Sequence, residues 1–251
     1  MSKHKILNYQ RSSRHPFYSL ISVLPILLFY ELIAINLNQN QQVGIRNAAD
    51  VILKNIVFKQ LMSWFGLHVL FAYGLVLLII FALVFWKKYK TNNLRIRPIY
   101  FVYMFFEGLI YAVLLGPIVG WFTNMLQFNV VHLSLSPFHL SIPHKVMLSL
   151  GAGIYEELFF RVILLSGSSL IFTRVLGLDR KPALILASVI SAGAFSYFHY
   201  IGPLADALSF HSFMFRFLAG IAFAILYILR GFGIAVYTHT FYDLLLVLHS
   251  Y

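Results

Sequence analysis

Seven apolar runs dominate this chain, at Phe17–Leu37, Gly66–Trp86, Ile99–Phe122, Val146–Phe172, Ala183–Ile201, Phe213–Leu229 and Phe232–Leu248. Crossing about 30 Å of hydrocarbon takes roughly 20 helical residues, and each run is about that length. The expected fold is therefore all-α, a polytopic membrane helical bundle of about seven transmembrane helices plus an interfacial helix. Only 11% of the residues are charged, against about a quarter in a soluble domain. Cysteine is absent, which removes disulfides and thiolate ligands. The last two runs are separated by Arg230-Gly231 alone, so they are expected as a tight hairpin.

The formal charge of +11 is mostly an orientation signal. The N-terminal tail, the second-to-third loop, the fourth-to-fifth loop and the last turn carry 13 of the 19 Lys and Arg. All of these segments fall on one side of the membrane. Basic residues gather in cytoplasmic loops, so the N-terminus is expected in the cytoplasm and the C-terminus outside, and no nucleic acid is needed to explain the charge. The first run has a basic flank but is too long for a signal peptide, and it is expected as an uncleaved helix. Ala49–Phe65 has polar residues at four-residue spacing, as an outer interfacial helix would. Asn124–Lys145, with two prolines, is expected as an outer loop. The chain divides into an N-terminal membrane region, 1–145, and a membrane core, 146–251.

The informative residues are the acids. There are eight, and Glu31, Glu107, Glu156, Glu157 and Asp243 fall inside apolar runs, with Asp50, Asp179 and Asp206 expected in loops. A charge at the bilayer centre costs about 2.5–3.5 kcal/mol even on lenient scales, and a functional site is the default explanation. Glu157 and Arg161 are four apart and share a helix face. Glu156 points about 100° away, free for another partner. Phe195 and His199 have the same spacing, as do His239 and Asp243. Three helices thus offer two imidazoles and two carboxylates. That set suits general-base activation of water with donors for an oxyanion, and it also suits a divalent metal. Gly151-Ala152-Gly153 permits close approach by a substrate backbone or by a neighbouring helix.

Three motifs in this order, Glu156-Glu157-Leu158-Phe159-Phe160-Arg161, Phe195-Ser196-Tyr197-Phe198-His199 and His239-Thr240-Phe241-Tyr242-Asp243, resemble those of the CPBP family of intramembrane proteases. That family, the CAAX proteases and bacteriocin-processing enzymes, includes the type II CAAX prenyl endopeptidases. The resemblance covers roughly residues 146–249. It implies that Glu156 and His199 activate the attacking water. His239 and Asp243 would stabilise the oxyanion or orient substrate, Glu157 and Arg161 would support the site, and Phe195 would pack beside His199. The chain departs from the family pattern at Val162, often glycine, and at Asp243, often asparagine. A divalent metal such as zinc is open, with Glu156, His199, His239 and Asp243 as its ligands. Without an H-E-x-x-H motif, glutamate-activated water is the preferred reading.

The resemblance implies an intramembrane endopeptidase working in the lipid bilayer, and the orientation read from the charges leads to the expectation of a bacterial cell-membrane enzyme acting on a membrane-anchored or exported protein or peptide. Other classes remain: a catalytically silent immunity or scaffold protein of this fold, and an ion-coupled transporter. The latter lacks an inverted repeat. Glu31 and Glu107 are expected to line the cavity or to pair with Arg216. His132, His139 and His144 are expected as polar interfacial residues of the outer loop.

Overall fold

The computed structural model describes residues 3–38, 45–53, 96–126, 140–202 and 205–249. The expected second span, most of the expected interfacial helix, and His132 and His139 lie outside these residues. Every element within them is helical: α1 (Lys3–Ser13), α2 (Pro16–Asn38), α3 (Ala48–Leu53), α4 (Ile99–Met125), α5 (Ile142–Gly151), α6 (Ser166–Arg174), α7 (Arg180–Phe198), α8 (Phe210–Arg230) and α9 (Phe232–His249). Between α5 and α6 the helical path continues through two wider π turns, Ala152–Glu156 and Leu158–Leu165. In lipid a backbone has to satisfy its own polar groups, which is why apolar runs of this length settle as helices.

By length and composition α2, α4, α7 and α8 can each cross a membrane. Their apolar residues divide by face. On α4, Tyr100, Met104, Gly108, Ala112, Leu115, Val119 and Thr123 form a buried stripe at three- and four-residue spacing, while Phe106, Ile110 and Trp121 are exposed. The stripe packs against α9. Gly108 sets the approach, since a Cβ there would lie 2.5 Å from the Tyr237 Cβ. Small residues bring membrane helices together in this way.

The seventh run becomes the most enclosed helix. On α9 every residue from Gly233 to Thr240 is buried, with α2, α4, α5, α8 and the first π turn packed around it. The hairpin between α8 and α9 forms as expected. Gly231 makes it with a φ of +85°, a conformation open to glycine at little cost. The fifth run ends at Phe198, short of the expected Ile201, and His199 caps it.

Candidate active site

Glu156 and Glu157 lie where the helix widens. Gly153 lets the first π turn approach α9 so closely that a Cβ would fall 1.9 Å from Thr240 Oγ1 and 2.9 Å from the Val236 carbonyl oxygen. Gly151 does the same against Tyr30 and Asn47. Both glycines of the Gly-Ala-Gly stretch therefore serve helix packing. Hydroxyls satisfy carbonyls along the second π turn: Ser191 Oγ donates to Phe160 O at 2.7 Å and Ser166 Oγ to Arg161 O at 3.1 Å. Wide turns of this kind recur at functional sites.

Glu157 is fully enclosed. Its Oε2 lies 3.2 Å from Arg161 Nε, with both side chains at 0% exposure. The pairing expected from the four-residue spacing is present, as a close charge pair off the line of a hydrogen bond. Arg161 Nη2 donates to Gly220 O at 3.3 Å. Its guanidinium lies over the rings of Phe195 and Phe223, 4.5 and 5.4 Å from their centroids. The other Glu157 oxygen accepts from His239 Nδ1 at 2.9 Å. His239 stacks on Phe223 at 4.5 Å and turns Nε2 toward Asp243, 3.7 Å from Oδ2. That distance is too long for a direct hydrogen bond. The Glu157–His239 contact was not legible in the spacing, which suggested only Asp243 as the partner of His239.

Glu156 is buried but held on one side only. Asn47 Nδ2 donates to its Oε1 at 2.8 Å. Its Oε2 has no hydrogen-bond partner among the described residues. His199 Nδ1 donates to Phe195 O at 2.9 Å, which leaves Nε2 as its open nitrogen. The Phe195 ring meets the imidazole edge-on at 4.9 Å, as expected. Glu156 is the charge that acts most strongly on His199, and Arg216 and His239 are also within its electrostatic reach. Asp243, which is partly exposed, feels the same groups. Glu156, His199, His239 and Asp243 therefore lie within electrostatic reach of one another.

Arg216 stands at its edge, with a partner other than those expected. It pairs with Asp206 and bonds Ser212, and its Nη1 donates to Tyr200 Oη at 2.8 Å. Glu31 pairs instead with Arg46 at 3.2 Å, and Glu107 with Arg230. Asp50, expected in a loop, is on α3 and fully buried, bonded by Tyr30 Oη at 2.7 Å and Arg46 Nη1 at 3.1 Å. Arg46, just before α3, and Arg230, the last residue of α8, meet these acids because a buried carboxylate needs a partner. His144 bonds Ser141 Oγ at 2.7 Å.

A bound zinc needs three or four converging donors. Among the described residues no group of three or more His, Asp and Glu side chains is placed to hold an ion. His239 Nδ1 donates to Glu157 and His199 Nδ1 to a carbonyl, which leaves Nε2 as the nitrogen of each ring able to coordinate. As placed, Glu156, His199, His239 and Asp243 do not converge closely enough to form a ligand set.

An all-helical bundle with apolar spans and an enclosed cluster of acids and imidazoles defines an integral membrane protein with an interior polar site. Residues 138–245 match the family model described as Type II CAAX prenyl endopeptidase Rce1-like, so this part of the chain is similar to that family of CAAX proteases. No curated protein matches the chain, and no solved structure does.

Proposed function

We propose that this protein is an intramembrane endopeptidase that hydrolyses a peptide bond of a membrane-anchored or exported protein, with Glu156 as the general base. The observation that carries the reading is the half-held carboxylate. Oε1 is fixed by Asn47, and Oε2 is buried without a partner among the described residues, in the neighbourhood of His199. A water between Oε2 and His199 Nε2 loses a proton to Glu156 as its oxygen attacks the scissile carbonyl carbon. Charge then develops on the carbonyl oxygen, where positioned groups are most effective. His239, fixed through Nδ1 by Glu157, serves that oxygen or orients the substrate, and Asp243 orients the substrate and His239. Collapse breaks the C–N bond, and the proton on Glu156 passes to the leaving nitrogen. Arg161 and Phe195 keep the imidazoles in place.

The membrane core, residues 146–251, supplies the chemistry. The basic bias of one set of loops supports a cytoplasmic N-terminus and an outer C-terminus in a bacterial cell membrane, with the site toward the outer half. The test compares protein termini in host membranes carrying wild type or Glu156→Gln at equal abundance. General-base removal lowers such rates by about 10²–10⁴-fold, so uncut precursors accumulate in the variant and identify the substrate. Identical termini, with a phenotype that survives the substitution, would overturn the proposal in favour of a non-catalytic binding role.

A further inference from the structure

Asn47 lies far outside the matched family segment, yet it makes the hydrogen bond that orients Glu156. Its two side-chain atoms do different work. Oδ1 accepts from Ala49 N at 2.9 Å, as an N-cap of α3 would, and Nδ2 donates to Glu156. The residue is held from behind. Its backbone N–H faces Tyr30 Oη at 3.4 Å, and Tyr30 Oη donates to Asp50 at 2.7 Å. Arg46 joins Asp50 to Glu31 at 3.1 and 3.2 Å. Glu31 Oε1 accepts from Tyr155 Oη at 2.9 Å, and Tyr155 is the residue next to Glu156. The contacts therefore leave the first π turn at Tyr155, pass through α2 and α3, and return to it at Glu156. Tyr30 and Tyr155 also meet edge-on at 5.2 Å.

We infer that Asn47 is a positioning residue for Glu156, and that the closed circuit Tyr155–Glu31–Arg46–Asp50–Tyr30–Asn47 makes the N-terminal region a structural part of the active site. The inference rests on the general-base reading of Glu156. A circuit that closes on adjacent residues fixes both the distance and the angle of the donor. A single side chain from a loose segment would fix neither. The donor favours the charged carboxylate and leaves Oε2 as the basic oxygen.

The cap and the donor can be separated. Asn47→Ser keeps an oxygen for the α3 cap but is too short to reach Glu156. Asn47→Ala loses both. The readout is the extent of labelling of Glu156 by dicyclohexylcarbodiimide in the purified full-length protein, quantified by mass spectrometry under one fixed condition. Loss of the donor is expected to raise Glu156 labelling by up to about tenfold in both variants. Asn47→Ala, which also loses the cap, is expected to melt earlier than Asn47→Ser. Glu156 labelling unchanged in Asn47→Ser would overturn the inference. Turnover supplies the second arm, with a drop in kcat of about tenfold and little change in KM on the precursor that accumulates with Glu156→Gln. If Glu156→Gln still cleaves, the general-base reading falls. If Glu156→Gln is dead while Asn47→Ser keeps its kcat, only the role of Asn47 falls.

Discussion

Two charged corners meet at the adjacent glutamates, and they are built in opposite ways. The Glu157 corner is short-range and dry. Its arginine is four residues away, its aromatic lid is Phe160, Phe195 and Phe223, and all its groups lie within residues 138–245. The Glu156 corner is long-range and partly open. Its donor comes from 109 residues away, and Arg46 and Glu31 behind it retain 10% and 20% exposure. One corner neutralises a charge where it stands. The other aims a charge that is left available. Adjacent identical residues thus acquire different roles from the elements that fold against them.

The largest effect separates the corners by stability. Arg161→Met leaves the Glu157 charge enclosed without its partner, which costs about 3–5 kcal/mol for a buried pair. A thermal melt of the purified protein reads it. A variant that melts like wild type would show that the Glu157 corner is not held by charge pairing.

Gly153→Ala tests the backbone approach that places both glutamates. The new Cβ meets Thr240 Oγ1 and two backbone atoms of α9, none of which retreats easily. Overpacking of this kind costs about 3 kcal/mol, and cleavage is expected to fall with it because π turn and α9 separate. Wild-type stability would mean that α9 yields.

A smaller effect is expected at the other corner. Arg46→Met removes the cation shared by Glu31 and Asp50 and costs about 2 kcal/mol, as for hydrogen bonds to charged groups. It is also expected to reproduce part of the kcat loss of Asn47→Ser. A stability loss with unchanged kcat would break the comparison, since Arg46 would then only brace the fold.

These contrasts explain what the sequence disclosed. Spacing of four residues is a local signal, so the Glu157–Arg161 pair, the Phe195–His199 contact and the alignment of His239 with Asp243 were legible. So were α2, α4, α7 and α8, because an apolar run of that length has few other states in lipid. Asn47 was not legible. It stands in an ordinary polar stretch, and only the folding of α3 onto the first π turn brings it to Glu156. The partners of Glu31 and Glu107 were misassigned to Arg216 for the same reason: no local spacing states which helix end will return to a buried acid. The π turns left no trace either, because neither the spacing of the apolar residues nor the composition distinguishes a wide turn from an α turn.

The smallest effect concerns a third charged cluster and sets the boundary of the comparison. Arg230 grips both oxygens of Glu107, reaches Ser13 Oγ at 3.0 Å and ties α1 to the α8–α9 hairpin. Tyr9 Oη donates to the same carboxylate. Tyr9→Phe deletes that donor but keeps the ring, whose edge contacts with Tyr100 and Tyr103 at 5.4 and 5.5 Å need no hydroxyl. Glu107 keeps its two-pronged contact with Arg230, so the charge stays neutralised. The expected loss is about 1 kcal/mol, seen as a slightly earlier melt, with cleavage unchanged. None of the contacts of this cluster passes through the Asn47 circuit or the Glu157 corner, so a purely mechanical tie should leave Glu156 labelling and turnover at wild-type values. A fall in turnover larger than the fall in stability would join the α1 tie to the site, and the two-corner division would have to give way to a single network spanning the bundle.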